Sequence, residues 1–153
     1  MTRSEGIDIR VVDHVDDEIL AALRMLLPQL SATAAPLTAE AVREIVGSPC
    51  TTLLVAIDRT TRQIVGSLTL ALFRIPTGIR AWIEDVIVGE AARGRGIGEA
   101  LTCEAVQRAR DRHARTVELT SSPRRAAANR LYQRLGFELR ASNVYRLDLS
   151  RGV

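Results

Sequence analysis

Three glycines alternate with other residues in a short basic segment, residues 93–98, whose sequence is Arg-Gly-Arg-Gly-Ile-Gly. An apolar run typical of a strand ends just before this segment. Apolar residues at a spacing of four follow it and predict a helix. Glycine leaves backbone N–H groups unobstructed, and the first N–H groups of a helix lack partners and carry partial positive charge. The segment therefore predicts a backbone cradle for a diphosphate, where a strand leads into a helix.

The remaining pattern predicts a mixed sheet with helices packed on it. Apolar runs bounded by turn residues predict strands at Ile7–Val12, Thr52–Ile57, Ile64–Phe73, Ile79–Val88 and Thr116–Thr120. Apolar spacings of three and four predict helices that begin near Asp16, Thr38, Gly98 and Ser122. Short turns make the middle strands antiparallel neighbours, whereas the helix after residue 98 connects two parallel strands.

The residues after the last helix predict a closing β-hairpin. Gly136 is a typical helix-ending residue, and Phe137–Leu139 and Asn143–Leu149 would form the two strands. The sequence thus predicts an α/β (mixed α+β) class in one domain over residues 1–153, with about seven strands and about four helices.

Composition excludes several classes of protein. The chain is 46% hydrophobic and 25% charged, which is typical of a globular protein. No apolar run approaches the length of a membrane span, and the first residues lack the apolar region of a signal peptide. We therefore expect a cytoplasmic protein without a membrane partner. The two cysteines, Cys50 and Cys103, and the two histidines lie far apart in sequence, so no metal site is expected.

All 21 basic residues are arginine. Without lysine, the chain cannot use a lysine Schiff base or a lysine general base. The net charge of +3 is a mild basic excess, the arginines are dispersed, and aromatic residues make up 3% of the chain. A nucleic-acid partner is therefore not expected, since such sites combine clustered basic residues with stacking aromatics.

Other interpretations of the glycine segment compete with the cradle. If the segment were only a flexible turn, its arginines and the helix that starts there would have no role. A dinucleotide fingerprint needs a third glycine where Glu99 stands, although Glu118 lies at a suitable distance for a ribose-binding acid. That fingerprint also leaves its strand directly, whereas four residues separate Val88 from Arg93. A P-loop would require Gly-Lys-Ser/Thr, which is absent.

Residues 82–149 resemble the GNAT superfamily of N-acetyltransferases. Its acetyl-CoA signature is matched by Arg93-x-x-Gly96-x-Gly98 after the strand Ile83–Val88. A second stretch, residues 121–137, matches the family in the spacing of Asn129, Tyr132, Gly136 and Phe137. The N-terminal half agrees only in the order of strands and helices. The resemblance implies a GNAT-like, mostly antiparallel sheet with one splayed parallel strand pair.

The resemblance also implies acetyl-CoA as co-substrate. The pantetheine arm would lie between the splayed strands and bond like an extra strand to Val86, Ile87 and Val88. An N–H group near Val86 would hold the thioester carbonyl oxygen. The diphosphate would rest on Arg93, Gly94, Arg95, Gly96, Ile97 and Gly98. Asn129 would bond the pantetheine or phosphate region.

The expected reaction is acetyl transfer to a primary amine by direct attack in a ternary complex. Such an amine is mostly protonated at neutral pH, so a base is useful. Glu84 is the candidate base, on a strand face expected to include Trp82, Val86 and Val88, with Asp85 on the other face unless a bulge intervenes. Tyr132 resembles the family's tyrosine that protonates the departing thiolate. A covalent route through Cys103 is not expected, because that thiol falls within a helix.

Acceptor identity and assembly stay open at this stage. Residues from Met25 to Pro36 and the turns near Pro76 and Tyr145 are expected to line the acceptor side. Their side chains do not distinguish a small-molecule amine from a peptide amine, and the sequence is compatible with a homodimer. The alternative function is a non-catalytic acyl-CoA-binding or regulatory module on the same fold.

Overall fold

A computed structural model describes residues 6–150, which contain a five-stranded mixed sheet whose strand order follows the chain. The strands are β1 (Ile7–Val11), β2 (Thr51–Asp58), β3 (Ile64–Ile75), β4 (Gly78–Val88) and β5 (Ala114–Glu118). The helices are α1 (Asp17–Leu30), α2 (Ala39–Gly47), α3 (Ile97–Asp111) and α4 (Ala126–Arg134), with a 3₁₀ turn at Glu90–Ala92. Strands β1 to β4 pair antiparallel, and β5 pairs parallel to β4. The predicted class is confirmed.

The first two helices begin where their capping residues predict. The Asp16 carboxylate accepts a hydrogen bond from the N–H of Ile19 at 2.8 Å, and the Thr38 hydroxyl accepts one from Ala41 at 3.1 Å. Each cap supplies a partner for one of the orphan donors of its helix. Both helices then pack against the same side of the sheet, where Leu23, Val42 and Val55 belong to one buried cluster.

The fourth helix begins later than predicted. The pattern Ser-Pro predicts that Ser122 is its capping residue, whereas α4 begins at Ala126. Ser122 instead opens a turn, since its carbonyl accepts from the N–H of Arg125 at 2.9 Å and its hydroxyl from that of Arg124 at 3.3 Å. The local bonds of this serine thus stabilise a turn rather than a first helical turn. The helix ends as predicted before Gly136, which has φ of 89°.

A larger core lies between the sheet and α3. The spacing of four predicted for this helix is confirmed, since Ile97, Leu101, Ala105 and Ala109 are all buried. They pack in one cluster with residues of the three central strands, including Leu68. Because the other side of the sheet is covered by α1 and α2, the central strands are buried on both faces. This arrangement fixes β4 and the start of α3 relative to each other.

The predicted C-terminal hairpin is wrong for the residues that the structure describes. Residues 137–150 contain no strand, so the sheet has five strands rather than about seven. The apolar side chains that suggested a strand are exposed, with Leu139 at 94% and Tyr145 at 88%. An apolar pattern becomes a strand only where a neighbouring edge and a core face receive it, and a two-stranded hairpin alone is marginal.

Candidate active site

The loop from Arg93 to Gly98, here called the glycine loop, has an unusual backbone. Gly94 has φ of 79° and Gly96 has φ of 73°, both in the left-handed region that favours glycine. Gly96 is the N-cap of α3 and provides no side-chain cap, and the first helical hydrogen bond runs from Ala100 N–H to the Gly96 carbonyl at 3.0 Å. The N–H groups of the three residues before Ala100 thus precede the ladder, as expected for an anion site.

The two arginines of the glycine loop have different partners. The Arg93 side chain donates from Nε to the Val88 carbonyl at 3.4 Å. Arg95 makes an ion pair from Nη1 to Oδ2 of Asp58 at 2.7 Å. Asp58 is only 5% exposed, and its hydrogen bond with Arg95, followed by the backbone bonds from Thr61 and Thr60, lowers the pKa of this carboxyl group. The sequence predicts that both arginines lie at the diphosphate, whereas the side chain of Arg95 is held by a buried carboxylate.

The parallel pair β4–β5 separates before β4 ends. The last pair in its register is Trp82 with Glu118, and β4 continues for six more residues to Val88. Within residues 6–150, no strand pairs with that outer edge of residues 83–88. The second half of β4, next to the glycine loop, therefore has an outer backbone edge without a strand partner. Its backbone edge can bond a chain in the way an added strand does.

A β-bulge interrupts β4 at the start of this open edge. Thr69 pairs with Glu84 and Ser67 with Ile87, so Asp85 and its successor both stand opposite a single residue of β3. Asp85 has φ of 49°. The bulge changes which side chains share a face. Ala81 and Ile83 lie in the α3 core cluster before it, and Val86 and Val88 pack against the same cluster after it. The prediction that Trp82, Glu84, Val86 and Val88 share one face is therefore wrong.

Glu84 lies on the surface beside the indole of Trp82. The indole Nε1–H donates to Oε1 of Glu84 at 2.6 Å, and the carboxylate is exposed. The apolar surroundings expected for Glu84 rested on the regular alternation that the bulge removes. The carboxylate is instead solvated and oriented by one charge-assisted hydrogen bond. It remains on β4, one residue before the bulge.

The two residues singled out on α4 have contacts at opposite ends of that helix. The Tyr132 ring meets Phe137 edge to face, with centroids 5.8 Å apart. Burial raises the pKa of the Tyr132 hydroxyl, partly offset by Arg125, and this hydroxyl has no hydrogen-bond partner within residues 6–150. Asn129 donates from Nδ2 to the Ser122 carbonyl at 3.0 Å. Its Oδ1 and its second Nδ2–H remain available for a ligand.

A family comparison decides what this arrangement is. The model of the acetyltransferase (GNAT) family matches residues 19–137, which include the bulged strand, the glycine loop and α4. The chain belongs to the GNAT acetyltransferase family. No curated protein matches the sequence.

Solved structures agree with this GNAT assignment. An acetyltransferase of Trypanosoma brucei is 27% identical with a TM-score of 0.77, covering 93% of this chain and 99% of that one. A transcriptional regulator from Bacillus halodurans C-125 is 28% identical with a TM-score of 0.73, covering 92% and 100%. AAC(6')-Iy, in complex with the bisubstrate analogue CoA-S-monomethyl-acetylneamine, is 18% identical with a TM-score of 0.76, covering 93% and 97%, a likeness of fold alone.

The surroundings of Cys103 disfavour a covalent route through its thiol. Burial, and then the charge of Glu99, raise the pKa of the Cys103 thiol, so the thiol is protonated at neutral pH.

Among residues 6–150, no group of three or more histidines, cysteines and carboxylates could hold a metal ion. No helix in that part of the chain is long and apolar enough to cross a membrane.

The C-terminal end of α1 approaches the junction between β4 and the glycine loop. Gln29 accepts from the N–H of Glu90 at 2.9 Å, and the Leu26 side chain lies against Gly89. A surface depression of about 280 Å³ lies on another side of this helix, lined by Arg24, Leu27 and the small residues up to Leu37. The spacing along α1 places the two sets on different faces of the helix.

Two features of the GNAT site were missed in the sequence. Asp58 ends an apolar strand, and its carboxylate accepts hydrogen bonds from the N–H groups of Thr60 and Thr61, which forms a side-chain turn. An aspartate followed by polar residues is a known sequence signal for this kind of turn. Its pairing with Arg95 has no sequence signal. Glu99, which occupies the third fingerprint position, pairs with Arg134 at 2.7 Å and thereby ties α3 to α4.

Proposed function

We propose that the chain is an acetyl-CoA-dependent N-acetyltransferase that transfers acetyl to a primary amine by direct attack in a ternary complex. One observation carries the proposal. The uncapped start of α3, with two left-handed glycines before it, adjoins the open edge of β4. The first suits a diphosphate and the second suits an extended arm that contains amides. CoA joins these two groups in one molecule.

The residues present fit this co-substrate. Acetyl-CoA supplies an acetyl group activated as a thioester. Val86, Ile87 and Val88 would hold its arm through their backbone, and an N–H near the bulge would hold the carbonyl oxygen. The N–H groups of Arg93 to Gly98 would hold the diphosphate. Asn129 would bond the arm or the phosphates with the amide atoms that its bond to Ser122 leaves over.

Glu84 would take the proton of the acceptor ammonium, directly or through water. With a pKa near that of lysine, only about one amine in 10³ is unprotonated at pH 7, so a group positioned to accept the amine proton assists the attack. The Trp82 indole fixes the carboxylate by its 2.6 Å hydrogen bond. The position of Glu84 supports the same role, because it lies two residues beyond Trp82, the last residue of β4 that pairs with β5, and directly before the bulge.

Tyr132 would donate a proton to the departing thiolate. Its raised pKa keeps the hydroxyl protonated at neutral pH, and no protein group in residues 6–150 competes for that proton. Its ring is oriented by the edge contact with Phe137. A hydroxyl that is half-buried and without a partner is costly unless water or a ligand completes it, which favours a ligand-facing role.

Purified protein, acetyl-CoA and a panel of amines test the proposal. The panel covers amino acids, peptide N-termini, polyamines and aminoglycosides, because AAC(6')-Iy holds an analogue that joins CoA to an acetylneamine on the same fold. We expect amine-dependent release of CoA thiol with at least one class and slower release in Tyr132→Phe. Absence of CoA binding would refute the proposal.

A regulatory module that binds acyl-CoA without turnover is the second candidate. It is favoured by the relative from Bacillus halodurans C-125, which is described as a transcriptional regulator. Tight CoA binding without thiol release for any amine, also with longer acyl donors, would support this candidate over the enzyme.

A further inference from the structure

The ion pair between Asp58 and Arg95 connects two parts of the chain that sequence analysis treats as unrelated. Asp58 ends β2, on the far side of β3 from β4, and Arg95 is the middle residue of the glycine loop. Asp58 is one of three polar or charged residues buried in the part of the chain that is described. A buried carboxylate is costly unless its charge and both oxygens are satisfied. Its contacts therefore need an explanation.

Both oxygens of Asp58 have partners. Oδ1 accepts from the N–H groups of Thr60 at 2.8 Å and Thr61 at 3.2 Å, and Oδ2 pairs with the Arg95 guanidinium at 2.7 Å. The Arg95 hydrogen bond and the two backbone bonds lower the pKa of this carboxyl group, so it is ionised at neutral pH. One oxygen thus fixes the carboxylate to its own turn, and the other holds the loop.

The glycine loop needs such a hold. Arg95 stands between Gly94 and Gly96, both with positive φ, and glycine is the residue with the most backbone freedom to lose. The Cβ of a residue at Gly94 would meet nothing within 4 Å, so no neighbouring atom packs against that side of the loop. The side chain of Arg95 is the connection from the middle of this loop to a buried group of the sheet.

We infer that Asp58 is a positioning residue for the CoA diphosphate and acts through Arg95. Arg95 then serves the glycine loop as an anchor, and its charge is balanced by Asp58. The diphosphate is left to the backbone N–H groups and to Arg93. This inference rests on the proposed function, since it assigns the loop to CoA. It predicts that loss of the ion pair weakens recognition of the diphosphate and spares recognition of the pantetheine arm.

Binding of two ligands to the full chain tests the inference. CoA contains the diphosphate, and pantetheine has the same arm without it, so their dissociation constants are measured by calorimetry and by ligand-observed NMR. Asp58→Asn keeps an oxygen for the turn and removes the charge. We expect it to weaken CoA binding about tenfold, a size within the range for coupled residues, and to leave pantetheine binding unchanged. Arg95→Gln should do the same, and the double variant should be no weaker than either single variant.

Glu104→Gln is the matched control. It removes a pair of similar length, 2.8 Å to Arg108, on a partly exposed face of α3 and away from the glycine loop. We expect no change for either ligand. If circular dichroism shows that Asp58→Asn is unfolded, Arg95→Gln tests the same ion pair, because Arg95 is the exposed partner.

Different results overturn different statements. Equal weakening of both ligands by Asp58→Asn would indicate a merely structural role, and additive effects of the two substitutions would indicate that Arg95 contacts the diphosphate independently. Either result overturns the inference and leaves the proposed function standing. A wild-type chain that does not bind CoA would overturn both.

Discussion

A methyl group at Gly94 measures how much the glycine loop depends on its left-handed backbone. Gly94 has φ of +79°, and an added Cβ would meet no atom within 4 Å, so Gly94→Ala adds backbone strain without a steric clash. The left-handed conformation costs an L-residue about 1–2 kcal/mol. At about 1.4 kcal/mol per factor of ten, that strain corresponds to roughly a 5- to 30-fold change in an equilibrium constant.

The strain can lower either the free energy of unfolding or the affinity for CoA. If the loop of Gly94→Ala keeps its conformation, the free energy of unfolding falls by about 1–2 kcal/mol and the affinity for CoA is unchanged. If the loop relaxes, stability is retained and CoA binding must restore the strained form, so the dissociation constant rises roughly 5- to 30-fold. We expect the second result, because Arg93 and Arg95 hold the loop through long side chains only.

Urea unfolding and calorimetric titration with CoA measure the two quantities on the same samples, and their sum should equal the strain. Gly6→Ala is the control, since Gly6 has φ of +82°, its Cβ would also meet nothing within 4 Å, and it lies next to β1. It should lose stability and keep CoA affinity. The reasoning is refuted if Gly94→Ala changes neither quantity, or if Gly6→Ala weakens CoA binding as much.

Three further predictions concern single side chains. Glu84→Gln should lower turnover about 100-fold, a typical loss for a general base, with CoA affinity retained; unchanged turnover would remove Glu84 as the base. Tyr132→Phe should keep the melting temperature, since the hydroxyl has no partner in residues 6–150, and reduce turnover; full activity would leave this tyrosine a packing role. Because the folded pKa of Asp58 is lowered, its stabilisation is present above the unfolded pKa of about 3.9 and is lost as pH falls through the folded value. Asp58→Asn should therefore be less stable than wild type near neutral pH, and urea unfolding should show the gap narrowing as the pH is lowered below about 3.9; a gap that does not change with pH would contradict this.

Local signals predicted the elements that depend on local bonds. The Asp16 and Thr38 caps, the apolar spacing of α3 and the stop at Gly136 were all confirmed, because each is decided within one or two turns of chain. The hairpin over residues 137–150 failed for the opposite reason. Strand pairing needs an edge elsewhere in the fold, and apolar residues alone do not supply one.

The elements that carry the predicted site lie where the sequence places them, whereas the face of β4 differs. The glycine loop and α4 follow from motifs whose residues are close in sequence. The face of β4 depended on strict alternation, and a single extra residue in a strand reverses every side chain beyond it. Asp58 was missed because its partner Arg95 lies 37 positions away and only tertiary structure brings the two together.

The bulge in β4 reconciles two demands on one strand. The first half of β4 pairs with β5 as far as Trp82, and the indole of Trp82 holds Glu84 on the surface just beyond the last pair. In the second half, Val86 and Val88 turn their side chains into the α3 core. A free backbone edge is mobile unless its side chains are packed, so this reversal fixes the edge that would bond the arm of CoA. A regular strand could not bury Val86 and Val88 on the same face as Ile83, because residues an odd number apart point to opposite faces unless a bulge intervenes.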